Sequence, residues 1–220
     1  VHAVTIHGNV DLSSGLLREL MWRRVPVIWC SSSGRIVGWA TSAESPNGAA
    51  RVRQHVASAD GRLGLAREFV AAKIYNQATL LRRHGNRPND VRLLRRLVSD
   101  SLNAWSVPAL FGVEGTAARV YFSGPMTMLT PRGELFASEF PGRVGRGATD
   151  RLNVCLNYVY GLLVGDCLRA IVACGLDPHA GFLHSAQRSK PALALEVVEE
   201  LGAEVRACLQ LDAVSTREIQ

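Results

Sequence analysis

The chain has 220 residues, 47% hydrophobic and 20% charged, with a formal net charge of +6. That length and apolar content can bury a real core, in one large domain or two smaller ones, and exclude a disordered polypeptide. The positive excess is mostly arginine, which suits phosphate because a guanidinium offers two donors to one anion, although an ordinary basic soluble protein carries the same balance.

The first forty residues read as strands around one helix. HAVTIHG alternates, VPVIWC is a β-branched and aromatic run, and GRIVGWA repeats the pattern after a Ser-Ser-Ser-Gly turn. Between the first two, Ser13 or Ser14 can cap a helix with Leu16, Leu17, Leu20 and Met21 on one face. Trp22, Trp29 and Trp39 crowd into a segment too small to bury them all, so a pairing surface is expected there. TSAESPNG (Thr41–Gly48) has linker composition and sets the expected boundary: a β-rich domain over 1–48 and an all-helical domain over 49–220, an α+β fold.

Beyond the linker the apolar period is helical. One helix is predicted from about Leu63 to Arg83 and another over Asp90–Leu102, the latter with a basic face at Arg92, Arg95 and Arg96. Thr149 is expected to cap a helix striped by Leu152, Leu156, Val159, Leu163, Cys167, Ala170 and Cys174 and closed by Gly175. GRVGRG (Gly142–Gly147) lacks the Lys-Ser/Thr ending of a phosphate loop and reads as a plain loop. Ser189 and Pro191 mark the start of the last helix, whose core stripe is Ala194, Val198, Leu201, Val205 and Cys208.

The five cysteines are dispersed, with no CxxC pair, which fits free thiols in a reducing cytoplasm. Charged and polar residues interrupt every apolar run before ~20 residues, so no membrane span is expected. No signal peptide is present and the chain begins at Val1, so a fragment, or a piece of a longer fusion, is expected.

Three places carry polar residues in apolar or small surroundings: Glu114 in FGVEGTAARVYF, His184 in GFLH, and Glu196 with Glu199 in PALALEVVEEL. A desolvated carboxylate or imidazole there calls for a cation or a partner. The bland readings stand beside this one. Glu114 can be a structural acid paired with Arg119, His184 a satisfied core histidine, and Glu196/Glu199 acids at the start of an amphipathic helix, where the macrodipole favours them. At i, i+3 spacing Glu196 and Glu199 are also close enough to share one cation. Asp177, before Pro178, reads as a turn residue.

Five stretches in order, ARxxVxxKxxNQxxLLRR (66–83), EGxAARxYF (114–122), DxxN (150–153), GLDPxxGFLH (175–184) and PxLALExxEE (191–200), resemble the integrase subunit of the CRISPR adaptation complex, from about Arg51 onward. The resemblance implies a homodimeric, metal-dependent DNA endonuclease and integrase that inserts short foreign DNA into a repeat array, alongside a small ferredoxin-like adaptation subunit. It also implies that Glu114, His184 and Glu196 are the catalytic and metal-ligating residues, with Glu199 as an alternative oxygen donor and Mg2+ or Mn2+ as the ion. His184 can equally serve as a proton shuttle. The family usually has aspartate at Glu196, and the longer side chain moves the oxygen outward, a step that magnesium's strict octahedral shell tolerates poorly. Double-stranded DNA, both the incoming duplex and the repeat, would be held through phosphates by Arg53, Lys73, Arg82, Arg83, Arg95, Arg96, Arg143, Arg146, Arg151 and Arg188. The competing functions are a non-catalytic DNA-binding scaffold and a metal-dependent nuclease unconnected with spacer acquisition.

Overall fold

The alternating segments before Thr41 form three short strands, β1 (Val4–His7), β2 (Val27–Cys30) and β3 (Ile36–Ala40). The computed structural model that shows them describes residues 3–32, 36–44, 47–123, 141–144, 147–183 and 191–200. β2 is central. It pairs in parallel with β1, Val4 opposite Val27, and antiparallel with β3, Val27 opposite Ala40. A parallel pair needs a crossover, supplied by α1 (Ser14–Trp22), whose first turn is capped by Ser13 Oγ accepting from the Leu16 N–H at 3.1 Å. The apolar run of β2 is sealed, with Val27 and Ile28 fully buried, whereas Trp22 is 81% exposed.

Helices follow: α2 (Gly48–Ala59), α3 (Leu63–His84), α4 (Pro88–Leu102), α5 (Val107–Phe122), α6 (Arg151–Ala173) and α7 (192–200). Local chemistry sets their ends. Pro88 opens α4 with a preset φ and no N–H to satisfy, and Asp90 sits in its first turn where the helix dipole favours an acid. Ser106 Oγ caps α5 by accepting from the Ala109 N–H at 3.3 Å. The cap of α6 is Asp150 rather than the expected Thr149: its Oδ1 accepts from the Asn153 N–H at 2.9 Å. At the other end Gly175, at φ 73°, closes the helix, with its N–H on the Val172 carbonyl and the Leu176 N–H on that of Ile171.

The architecture is α+β, mostly helical with one three-stranded sheet, and among the described residues all strands lie before Gly48. Packing groups the chain into two compact units along lines other than a single cut at residue 48. One comprises Val1–Arg62 with Gly161–Val198, the other Leu63–Tyr160 with Glu199–Gln220. In the second, α3, α4 and α5 pack on one another around Val70, Ile74, Leu81, Leu94, Leu110 and Tyr121, all nearly sealed from solvent. By length and composition alone α6 is apolar enough to cross a bilayer, which the reading of uninterrupted runs did not anticipate, because a few tolerated polar residues do not prevent it. Core helices of soluble proteins pass the same test, and Leu156, Cys167, Leu168, Ile171 and Val172 are buried within the protein.

Candidate functional site

The buried face of α3 runs Ala66, Val70, Ile74, Gln77 and Leu81, and Lys73 flanks it on the turn between Val70 and Gln77. Its ammonium is the meeting point of two acids from other helices. Lys73 Nζ lies 2.5 Å from Glu114 Oε1 of α5 and also pairs with Glu199 Oε2 of α7. The three side chains keep only 12%, 14% and 30% of their surface exposed, so the charges compensate one another largely out of water. Asn76 adds a tie, donating to the Glu200 carbonyl at 2.8 Å. The acid of the EGxAAR stretch is therefore partnered by Lys73. Arg119, the partner open from sequence, instead reaches Thr116 Oγ1 at 3.4 Å.

Burial pushes the Lys73 ammonium down, but the charges of Glu199 and Glu114 and a hydrogen bond to each outweigh it and hold the group above the usual lysine value. A raised lysine pKa contributes stability that is complete below the unfolded value, ~10.4, and is lost as pH rises through the folded one. Thermal melts of the parent should therefore fall as pH climbs above about 10. A Lys73→Met variant should melt lower at pH 7, with two acids left facing each other, and show a shallower alkaline decline.

Glu196, one turn before Glu199 on α7, is engaged elsewhere. It is 1% exposed, and its carboxylate accepts from the Phe182 N–H at 2.8 and 2.9 Å and from the Leu183 N–H at 2.8 Å. The loop leading to GFLH is thus fastened to α7 by a buried carboxylate, and three acceptor positions of that carboxylate are committed to backbone. Gly181 makes the approach possible: a Cβ there would lie 2.5 Å from Glu196 Oε1 and 2.9 Å from Ala192 Cβ. In this structure Glu196, which the resemblance names as a metal ligand, accepts from backbone donors, and Glu199 is the acid that meets Lys73 together with Glu114. His184 lies outside the described residues.

The same loop is held from α2 by residues that drew no notice in the sequence. Gln54, buried, donates to the carbonyls of Asp177 at 2.7 Å and Ala180 at 2.9 Å and accepts from the Asp177 N–H at 2.9 Å. Ser58 Oγ donates to the Gly181 carbonyl at 2.6 Å. Asp177 closes a turn as expected, its Oδ1 accepting from the His179 N–H at 2.8 Å. On an amphipathic helix nothing distinguishes Gln54 from a solvated glutamine, so only the fold reveals it. Asn153 of DxxN has the same character: fully buried, it donates to Gly142 O and Asp150 Oδ2 and accepts from the Val144 N–H, tying the Gly142–Val144 segment to the start of α6.

The expected DNA contacts divide by environment. Arg53 on α2, Arg82 and Arg83 in the last turn of α3, Arg95 and Arg96 on α4, and Arg151 on α6 are exposed. Within the second unit the four arginines of α3 and α4 place cationic groups on helix faces. Arg143 is half-buried, hydrogen-bonded to Asn153 Oδ1 at 3.2 Å with its guanidinium 5.7 Å from the Tyr160 ring centre. Lys73 serves the two carboxylates rather than a free surface. Arg146 and Arg188 lie outside the described residues. The four described cysteines are free, and burial raises the Cys30 and Cys167 thiols above their ordinary value. Among the described residues no group of three or more His, Cys, Asp or Glu side chains is placed to hold a metal ion.

The fold recurs in known proteins. A Cas1 protein from Thermotoga maritima superposes with a TM-score of 0.77 at 26% identity, covering 100% of this chain and 70% of that one. A casposase bound to integration product gives 0.68 at 28% identity over 98% of this chain and 63% of that one. In sequence the chain is 38% identical over 200 residues to a CRISPR-associated endonuclease Cas1 of Thermus thermophilus, covering 91% of this chain and 60% of the relative. Two other curated relatives are spanned over only 41% and 36% of their lengths, so the chain corresponds to part of the proteins it matches. The family model described as CRISPR associated protein Cas1 matches residues 1–220, and the chain belongs to that family.

Proposed function

We propose that the chain is the core of a metal-dependent DNA endonuclease and integrase of CRISPR adaptation, inserting short foreign duplexes into a repeat array. The observation that carries the metal reading is the convergence of Glu114 and Glu199 on one positive charge: two carboxylates from separate helices already cradle a cation, the Lys73 ammonium. That donor set suits a hard divalent ion such as Mg2+ or Mn2+, and an imidazole from His184 would make manganese the better fit. A bound divalent ion would polarise the scissile phosphate and neutralise the charge that develops on it.

This chain's own residues do the rest. Glu114 and Glu199 would hold the ion, and Lys73, released from them, would be available as a cation. Glu196, with Gln54 and Ser58, fixes the loop that leads to His184 and so would set where the imidazole is presented. Exposed arginines of α2, α3, α4 and α6 would grip phosphates without reading sequence. The partners consistent with this role are double-stranded DNA, a second copy of the chain paired through its strand-bearing segment, and a small Cas2-type subunit. Two solved structures with the same fold at 24% identity are Cas1–Cas2 assemblies. A cytoplasmic location goes with DNA as substrate. Exposed Trp22 supports the pairing, and a single-chain mass in light scattering would count against it.

The reading is tested by incubating the purified chain with supercoiled plasmid carrying a repeat and with a short duplex, with and without Mg2+ or Mn2+. Metal-dependent nicking with joining of the duplex into the repeat supports it. Nicking without joining leaves a nuclease unconnected with spacer acquisition. DNA binding without any cleavage leaves the scaffold reading.

A further inference from the structure

One polar side chain in the core of the second unit has nothing to bond. Gln77 is 0% exposed, and both its amide nitrogen and its amide oxygen are sealed from solvent without a hydrogen-bond partner. It stands on the buried stripe of α3 between Ile74 and Leu81, where leucine or methionine would pack at no polar cost. A buried amide left unsatisfied is destabilising, and native proteins keep few such groups. Its place on the helix suggests why it is tolerated. Gln77 is four residues after Lys73, and side chains at that spacing are neighbours on one helix face.

A second unsolved problem lies one turn away. Lys73 is nearly buried, and its ammonium is satisfied by Glu114 and Glu199. If a divalent ion takes those carboxylates, as proposed above, the ammonium loses both partners in a site with little access to water. We propose that Gln77 is a positioning residue whose amide oxygen receives the Lys73 ammonium when a divalent cation displaces it from Glu114 and Glu199. The lysine then has two seats: between the carboxylates in the metal-free protein, and on Gln77 in the loaded one. The orphaned amide oxygen is the empty second seat.

The inference rests on the metal reading, and the test separates the two. Mn2+ binding to the chain is titrated by the loss of free-ion electron paramagnetic resonance signal in the parent and in Glu199→Gln, Gln77→Met and Gln77→Glu. Metal-free melting temperatures are recorded in parallel. The parent should bind one Mn2+ tightly and Glu199→Gln should not. Gln77→Met should melt higher than the parent without metal, because the unsatisfied amide is gone, yet need about tenfold more Mn2+ for half-saturation, because the displaced ammonium has no acceptor. Gln77→Glu, which restores an acceptor, should return the half-saturation point to within about threefold of the parent. If the parent itself binds no Mn2+, or binds it unchanged in Glu199→Gln, the metal reading fails and this inference with it. If the parent binds Mn2+ through Glu199 and Gln77→Met binds it equally well, the amide is merely a structural defect and the second seat does not exist.

Discussion

Replacing Glu114 or Glu199 with glutamine should reduce Mn2+-dependent plasmid nicking by about 10²–10³-fold, the scale on which losing one preorganised electrostatic group acts. Glutamine keeps the size of the side chain and removes the charge that would hold the ion, so the loss comes from the site rather than from packing. DNA affinity should change by less than about threefold, because arginine contacts to phosphate supply most of the binding. Glu196→Gln discriminates between the two acids of α7. Its carboxylate accepts three hydrogen bonds from the Phe182 and Leu183 N–H groups, so glutamine there should lower the melting temperature by several degrees. Well below that temperature the variant should still nick within about tenfold of the parent. Loss of all nicking by folded Glu196→Gln, with Glu199→Gln active, would reverse the assignment.

The second large effect is on stability. Gly181→Ala places a methyl group 2.5 Å from Glu196 Oε1 and 2.9 Å from Ala192 Cβ, distances that non-bonded atoms do not share. Either the loop moves off α7 or the carboxylate turns away from two backbone N–H groups. Overpacking with loss of charge-assisted hydrogen bonds should cost about 3 kcal/mol, a fall of about 6–12 °C for a chain of this size. Circular dichroism melts check it. The double variant Gly181→Ala, Glu196→Ala should lose less than the sum of the two single losses, because removing the carboxylate also removes the clash. Additive losses would mean that Gly181 and Glu196 act separately.

Glu114 was legible as a functional candidate because its neighbours are small or apolar, so a carboxylate there needed a partner. That the partner is Lys73 was not legible, since the two are far apart in sequence and meet only through the packing of α3 on α5. The paired acids of α7 show the limit of pattern reading most clearly. Spacing places Glu196 and Glu199 on adjacent turns and says they can share a cation. It does not say that Gly181 brings a loop against one of them and that Lys73 meets the other. Helix ends were readable where a single residue type commits the backbone, as at Ser13 and Gly175. The end was misread at α6, where Thr149 and Asp150 are both capable caps and the side chain that reaches the Asn153 N–H is decided by local geometry. Gln54 and Gln77 were invisible for one reason: glutamine is common on solvated helix faces, and only burial separates the one that ties a loop from the one that bonds to nothing.

The central claim is that Glu114 and Glu199 form the floor of a divalent-metal site now held by Lys73. Crystals of the chain soaked in Mn2+ and measured at the manganese absorption edge test it most directly. An anomalous peak within ligand distance of both carboxylates, with the Lys73 ammonium withdrawn from them, is the predicted result. A peak bound by Glu196 without Glu199, or a full-occupancy Lys73 pair with no peak beside it at saturating Mn2+, would contradict it.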